Sequence, residues 1–360
     1  MFLYKLLTRA ALVSCLLACK GTPAVAPAPP PTPTPTPAPS ATTFTNPLLA
    51  SGPDPWVYLK DGFYYYLNTT GGDVRIRKTA KMSELASAPA QVAWRPVAGA
   101  NNSRDVWAPE LHFLDGKWYI YFTAGPGNCC GGQRLWVLEN PSADPTQGTW
   151  TEKGRIYNPT DDYWAIDGTV FEQNGKRYML WSGHSNDNND TQRIYISEMS
   201  SPLTLIGPRV ELSSPQYDWE KYSKPLKPLV NEGPEIIKHG SSTFLVYSAS
   251  HCETDDYALG ELRMSSTADP LVAANWTKSA TPVFVKNPSA GAYGPGHNGF
   301  FKSKDGTEDW LIYHANNQSG QGCGDARNPR IQKFTWNADD SPNFGQPTPI
   351  NVPQARPAGE

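Results

Sequence analysis

One arrangement recurs five times along this chain: a tight-turn dipeptide followed closely by a strand crowded with aromatic residues. Asp61-Gly62 precedes Phe63-Tyr64-Tyr65-Tyr66-Leu67, Asp115-Gly116 precedes Lys117-Trp118-Tyr119-Ile120-Tyr121-Phe122, and Asn174-Gly175 precedes Lys176-Arg177-Tyr178-Met179-Leu180-Trp181. His239-Gly240 leads, after two serines, into Thr243-Phe244-Leu245-Val246-Tyr247, and Asp305-Gly306 leads to Trp310-Leu311-Ile312-Tyr313. Asp-Gly and Asn-Gly are strong hairpin signals, because a type I′ turn needs positive φ at both central positions. Successive turns lie 54, 59, 65 and 66 residues apart. That period is too long for a solenoid coil and suits a blade of four strands with generous loops. Helical periodicity is nearly absent; one short helical turn is expected over 80–86. The chain therefore reads as all-β, a single five-bladed β-propeller over 43–360, with a β-sandwich or two smaller β domains as the competing arrangements.

Composition narrows the partners. The net charge is −3 and charged residues make up only 18%, so there is no basic surplus to hold a nucleic acid. Twelve Trp and 17 Tyr supply both core and ring faces for a ligand. Beyond residue 18 no apolar run approaches the roughly 20 residues of a membrane-spanning helix.

The first residues are an address. Lys5 and Arg9 precede an apolar stretch over 10–18, the layout of a secretory signal. Leu16-Leu17-Ala18-Cys19 is similar to the bacterial lipobox, so 1–18 is read as a lipoprotein signal peptide and Cys19 as the lipidated residue. The expected location is then that of an exported bacterial lipoprotein, membrane-anchored at the cell surface or in the periplasm. Residues 19–42 form a Pro/Thr/Ala-rich linker; nine of the 35 prolines fall within 21–40, which favours an extended polyproline II spacer.

Four cysteines follow: Cys129, Cys130, Cys252 and Cys323. Export permits disulfides. A bond within the vicinal pair would be strained, so bridges from Cys129 and Cys130 to Cys252 and Cys323 are one option. Zinc is another, against which stands the absence of any CxxC pair.

The turns also serve as a ruler. Seven residues before the first residue of a turn stand Asp54, Asp167 and Glu232 in the first, third and fourth repeats. The second repeat has Ala108, followed by Pro109-Glu110, and the fifth falls beside Gly296-His297-Asn298. Equal offsets place residues at equivalent points of successive blades, and the innermost strands of a propeller line its axis. Three acids at one hub repel each other and raise at least one pKa. Two carboxylates are the usual equipment for hydrolysing a glycosidic bond, one donating a proton and the other activating water. A third beside the donor would keep its proton bound.

Gly52-Pro53-Asp54-Pro55, Trp107-Ala108-Pro109-Glu110, Ile166-Asp167-Gly168 and Glu232-Gly233-Pro234, in that order over 45–336, resemble glycoside hydrolase family 43. The resemblance implies a five-bladed propeller and hydrolysis with inversion. It implies Asp54 as general base, Glu232 as general acid, and Asp167 as the residue that orients the acid and tunes its pKa. Tyr313-His314-Ala315-Asn316 and Arg327-Asn328-Pro329-Arg330-Ile331-Gln332 are similar to members acting on α-L-arabinofuranosides, especially exo-acting cleavers of 1,5-arabinan. By that likeness Arg327, or in second place Arg330, reaches the sugar, and His297 sits where a structural ion or water is held. Trp107 and Trp164 are the candidate substrate platforms. No cofactor is required, a structural calcium at the axis being the one candidate ion. The expected partner is a plant cell-wall polysaccharide or oligosaccharide containing arabinose. The alternatives are a β-xylosidase or endo-arabinanase of the same fold, or a propeller that binds surface glycans without cleaving them. One departure stands out: many relatives carry Pro where this chain has Gly168.

Overall fold

The computed structural model describes residues 42–127, 129–158, 160–186 and 191–360. The expected signal peptide, the expected lipidation at Cys19 and the expected linker up to residue 41 lie outside the described residues. The rest forms five four-stranded antiparallel sheets, each built from four consecutive strands. The first strands are Trp56–Lys60, Arg104–Leu114, Ala165–Gln173, Asn231–His239 and Tyr293–Lys302. Each touches the first strands of both neighbouring sheets, and the fifth returns to the first. That closed ring is the hub of a five-bladed propeller, as the repeat predicts. The short helical turn is present as a 3₁₀ segment, Met82–Ser87.

The turns form for the reason the dipeptides suggest, with two shifts. Asp61-Gly62, Asp115-Gly116 and Asn174-Gly175 all hold positive φ and close two-residue hairpins. In blade 4 His239 pairs with Ser242, so the turn is Gly240-Ser241, one residue later than the sequence pattern places it. In blade 5 Lys302 pairs with Asp309, leaving the wider loop 303–308. Asp305 there accepts hydrogen bonds from Ser303 and from both the amide and hydroxyl of Thr307, which holds the broader turn.

The second strand of each blade explains why its sequence is apolar without alternation. Successive side chains of a strand point to opposite faces, and here both faces are covered by blades. Tyr65 and Leu67 pack towards blade 2, while Tyr64 and Tyr66 pack towards blade 5. Trp118, Ile120 and Phe122 face blade 1, whereas Tyr119 and Tyr121 face blade 3. The same division separates Met179 and Trp181 from Tyr178 and Leu180 in blade 3. The core is thus five interblade clusters rather than one centre. Each fully buried large side chain in them contributes about 1.5–3 kcal/mol.

The ring is closed by the ends of the described chain. Thr43–Phe44 pairs with Gln354–Ala355. Asn46, fully buried, uses its side-chain amide as a short strand: Nδ2 donates to the Ile331 carbonyl at 2.8 Å and Oδ1 accepts the Ile331 amide at 3.0 Å. Leu48 and Gly52 donate to the carbonyls of Pro329 and Arg327. The segment leading to Asp54 is therefore laid along the third strand of blade 5. That brings Asp54 beside Arg327.

Candidate active site

One backbone device repeats around the hub. Asp54, Ala108, Asp167, Gly233 and His297 have φ of 53°, 42°, 56°, 56° and 50°. In blades 2 to 5 this residue lies within a register shift of the first strand, between Trp107 and Glu110, Ile166 and Thr169, Glu232 and Glu235, and Gly296 and Gly299. A bulge leaves its extra residue unpaired and re-aims the side chain. The freed amides are caught from the preceding blade. Asp54 donates to His314 Nδ1 (3.1 Å), Ala108 to Thr69 Oγ1 (2.7 Å), Asp167 to Thr123 Oγ1 (3.2 Å) and His297 to Ser248 Oγ (2.8 Å). In the fourth blade Ser182 instead donates to the Asn231 carbonyl, and the Gly233 amide turns to Asp167 Oδ2 at 3.0 Å. The seven-residue offset is therefore one residue out in blade 4: the equivalent of Asp54 and Asp167 is Gly233, and Glu232 precedes it. The cause is the late turn at Gly240-Ser241. Gly233 has two reasons to be glycine, its left-handed φ and a Cβ position 3.2 Å from His297 Nδ1.

Asp54 is ringed by basic groups. Its Oδ1 lies 2.8 Å from Arg327 Nη1, 3.3 Å from His297 Nδ1 and 3.4 Å from His314 Nδ1. Its Oδ2 accepts a 2.6 Å hydrogen bond from Thr69 Oγ1. Burial alone would raise this carboxyl, but the Arg327 guanidinium holds it well below the usual carboxylate range. His314 is pushed down to about 3, chiefly by burial and then by Arg327. It is thus neutral, and since its Nδ1 accepts the Asp54 amide, its ring proton is on Nε2. Asp54 is a carboxylate that stays ionised.

Asp167 and Glu232 are the opposite case. Burial, then the charges of Glu232 and Asp54, push Asp167 well above the usual range, partly opposed by the Gly233 amide. Glu232 is raised to about 7, first by burial and then by Asp54, against a hydrogen bond from Tyr257 and the charge of Arg327. The two carboxyls titrate as a pair, and near neutrality that pair retains a proton. The hub therefore sets an ionised carboxylate beside a pair that keeps a proton, the division of labour that acid–base hydrolysis requires.

The other predicted residues separate. Arg327 joins the site through Asp54, whereas Arg330 is wholly buried and holds Asn328, Gly291 and Asn316–Asn317 together. His297 is at the hub, facing Asp54. Trp107 is half-buried on the strand that presents Ala108. Trp164 is only 6% exposed, donates to the Cys130 carbonyl at 2.7 Å and stacks on His184 at 4.3 Å. One of its faces is thereby taken. Asp167 keeps its bulge geometry with Gly168 behind it, so the absent proline does not unseat it.

The cysteines pair locally, not across the molecule: Cys129 with Cys130, and Cys252 with Cys323. Cys252 and Cys323 have Cα atoms 5.1 Å apart on adjacent loops of blades 4 and 5. That bond ties together the loops carrying Tyr257 and Arg327, which contact Glu232 and Asp54. Among the described residues the one cluster of metal-type ligands is His251 with Cys252 and Cys323, and both sulfurs are already bonded.

Thr69, His314 in its neutral role, and Tyr257 are the functional neighbours that sequence reasoning missed. A signal existed for the first two. Thr69, Thr123 and Ser182 each stand eight residues after the first residue of their turn dipeptide, and Ser248 and His314 stand nine after His239 and Asp305. Tyr257, on a loop, carries no such mark.

A five-bladed propeller with three carboxyls of opposed protonation at its hub is the architecture of a glycoside hydrolase, and the sequence profile of Glycosyl hydrolases family 43 matches residues 44–342. The chain belongs to that family and is a glycosidase. It is 41% identical over 354 residues to the extracellular exo-α-(1→5)-L-arabinofuranosidase of Streptomyces avermitilis, covering 96% of this chain and 71% of that one. It is 38% identical over 275 residues to the enzyme of the same name from Streptomyces chartreusis, covering 76% and 82%. The crystal structure of α-L-arabinofuranosidase from Lactobacillus brevis superposes with a TM-score of 0.80 at 38% identity, over 86% of this chain and 98% of that one.

Proposed function

We propose that this protein is an inverting exo-α-L-arabinofuranosidase that removes terminal arabinofuranosyl residues from arabinan or arabinoxylan. The observation carrying the chemistry is the pairing of an ionised Asp54 with a Glu232 carboxyl held protonated up to about pH 7. In this reading water attacks the anomeric carbon as Asp54 takes its proton. Glu232 gives its proton to the glycosidic oxygen, the carbon–oxygen bond breaks, and the sugar leaves with inverted configuration. Asp167 holds the loop of the acid through the Gly233 amide, and because the two carboxyls repel each other when both are ionised, the pair keeps a proton. Arg327 fixes and ionises the base, and Trp107 offers a ring face to sugar C–H groups. A structural calcium beside His297 would have to draw most of its oxygens from water, since the nearest carboxylate is engaged by Arg327; no catalytic step is assigned to it.

The specificity rests on the names of the relatives, two of them extracellular arabinofuranosidases at 41% and 38% identity. Offered p-nitrophenyl α-L-arabinofuranoside, p-nitrophenyl β-xyloside and linear arabinan side by side, the enzyme is expected to turn over the arabinoside and to release only monomeric arabinose from arabinan. Proton NMR at early times should show the β-anomer first. Xyloside turnover without arabinoside turnover, or oligomeric products from arabinan, would replace the specificity with one of its rivals.

We also propose that Cys19 is lipidated and that the 19–42 linker holds the propeller off a membrane surface. Expressed in a host with lipoprotein processing, the protein should partition into the detergent phase, and Cys19→Ser should move it to the aqueous phase. Equal partitioning of both forms would leave a plain secretory signal.

A further inference from the structure

Tyr257 sits where the acid and base halves of the site meet. It is buried, on the loop entering the third strand of blade 4, and its hydroxyl donates to Glu232 Oε1 at 2.9 Å. Its ring lies parallel to that of His314, 10° apart in plane with centroids 5.7 Å apart, and His314 receives the Asp54 amide. The ring is held from below by the blade-5 bulge, where a Cβ on Gly296 would come within 2.2 Å of it. Glycine is required there so that the tyrosine can lie flat against the strand. Ser248 catches the bulge amide of His297 at 2.8 Å, on the same side of the Gly296 bulge as the Tyr257 ring.

A carboxylic acid has two oxygens, and only a proton on the correct one can reach the leaving group. Oε1 is an acceptor as long as Tyr257 donates to it. The acid proton is then confined to Oε2. A general acid free to hold its proton on either oxygen, or to rotate, would be misplaced for part of the time. Misplacement of reacting groups by even about 1 Å can cost about 10²-fold in rate.

We propose that Tyr257 is a positioning residue for the proton donor: its hydroxyl fixes the Glu232 carboxyl in one orientation and confines the acid proton to Oε2. This rests on the reading of Glu232 as the general acid. The groups facing Glu232 from all sides are Asp54 before the first strand of blade 1, Asp167 on the first strand of blade 3, His297 on that of blade 5, Arg327 on the blade-5 loop, and Tyr257 itself. Of these, Tyr257 is the one whose oxygen can be removed without removing a charge.

The test is Tyr257→Phe, which keeps the ring against His314 and Gly296. On arabino-oligosaccharides kcat is expected to fall about tenfold, as one hydrogen bond to a charged or reacting group is worth. KM should stay unchanged, and so should kcat on 2,4-dinitrophenyl α-L-arabinofuranoside, whose leaving group needs no proton. The alkaline limb of kcat/KM on the oligosaccharide should move up by about half to one pH unit, because the lost bond favours the ionised form of the acid. Equal losses on both substrates with an unmoved alkaline limb would make Tyr257 a packing residue and overturn the proposal. Glu232→Gln, assayed in parallel, separates the two levels: if it shows no leaving-group dependence the acid assignment itself fails, whereas dependence in Glu232→Gln with none in Tyr257→Phe defeats only the inference about the tyrosine.

Discussion

Asp54→Asn is expected to lower kcat by at least about 10³-fold on every substrate, activated or natural, within the range a positioned general base supplies. The substitution is nearly isosteric, so the loss should be chemical. Thr69 Oγ1, which donates to Asp54 Oδ2 at 2.6 Å, can turn its hydroxyl and accept from the new amide, while the other oxygen still faces Arg327. The fold should persist, with an unchanged circular dichroism spectrum. What disappears is the oxygen that takes the proton of the attacking water. A better leaving group does not restore it, because the missing step is on the other side of the sugar. The pH profile carries the same information in the wild-type enzyme. Asp54 is held well below the usual carboxylate range by Arg327, so activity should survive to pH values below those at which an ordinary aspartate protonates. Retention of a tenth or more of wild-type kcat by Asp54→Asn on arabino-oligosaccharides would remove Asp54 from the role of base.

The fold was legible because its repeat is local. A two-residue turn and the strand after it are set by neighbouring residues, and Asp61-Gly62, Asp115-Gly116 and Asn174-Gly175 behave as their dipeptides dictate. The repeat failed where tertiary contacts and side-chain hydrogen bonds intervened, at Gly240-Ser241 and in the loop held by Asp305. That shift is why counting back from His239 landed on Glu232 although the equivalent backbone position is Gly233. Glu232 was reached through an offset that the structure explains differently, and the Glu232-Gly233-Pro234 motif is the sounder guide to it. Disulfide pairing was not legible for a related reason. Cys252 and Cys323 lie 71 residues apart in sequence and meet only because blades 4 and 5 set their loops side by side. Tyr257 was invisible because a lone tyrosine on a loop has no periodic partner. Trp164 shows the converse: its place before the Asp167 motif suggested a sugar platform, yet its ring is stacked on His184 and its N–H is taken by a neighbouring loop.

Glu232→Gln should divide the substrates according to how much help their leaving groups need. On arabinan and arabino-oligosaccharides, where the departing alkoxide must be protonated as the bond breaks, kcat is expected to drop by about 10²–10⁴-fold, the usual worth of a general acid. On 2,4-dinitrophenyl α-L-arabinofuranoside the loss should be less than about tenfold. The glutamine can still accept from Tyr257 and keeps the side-chain volume, so the site should close around it. The wild-type enzyme should lose activity on natural substrates as pH rises through about 7, where the raised Glu232 carboxyl gives up its proton. That alkaline limb should vanish for the activated substrate in the variant, since no acid remains to titrate. Asp167→Asn offers the internal control. Asp167 and Glu232 titrate as a pair, so losing the Asp167 carboxyl removes the repulsion against ionising both, while the Asn oxygen can still accept the Gly233 amide that now bonds Oδ2 at 3.0 Å. The alkaline limb should then move down, opposite in sign to the shift expected from Tyr257→Phe. The arrangement at the hub thus makes a pattern of signs: one substitution that raises the limb, one that lowers it and one that abolishes it. A single acid tuned by burial alone would show no such dependence on Asp167, and an unmoved limb in Asp167→Asn would reduce that residue to a support for the Gly233 backbone.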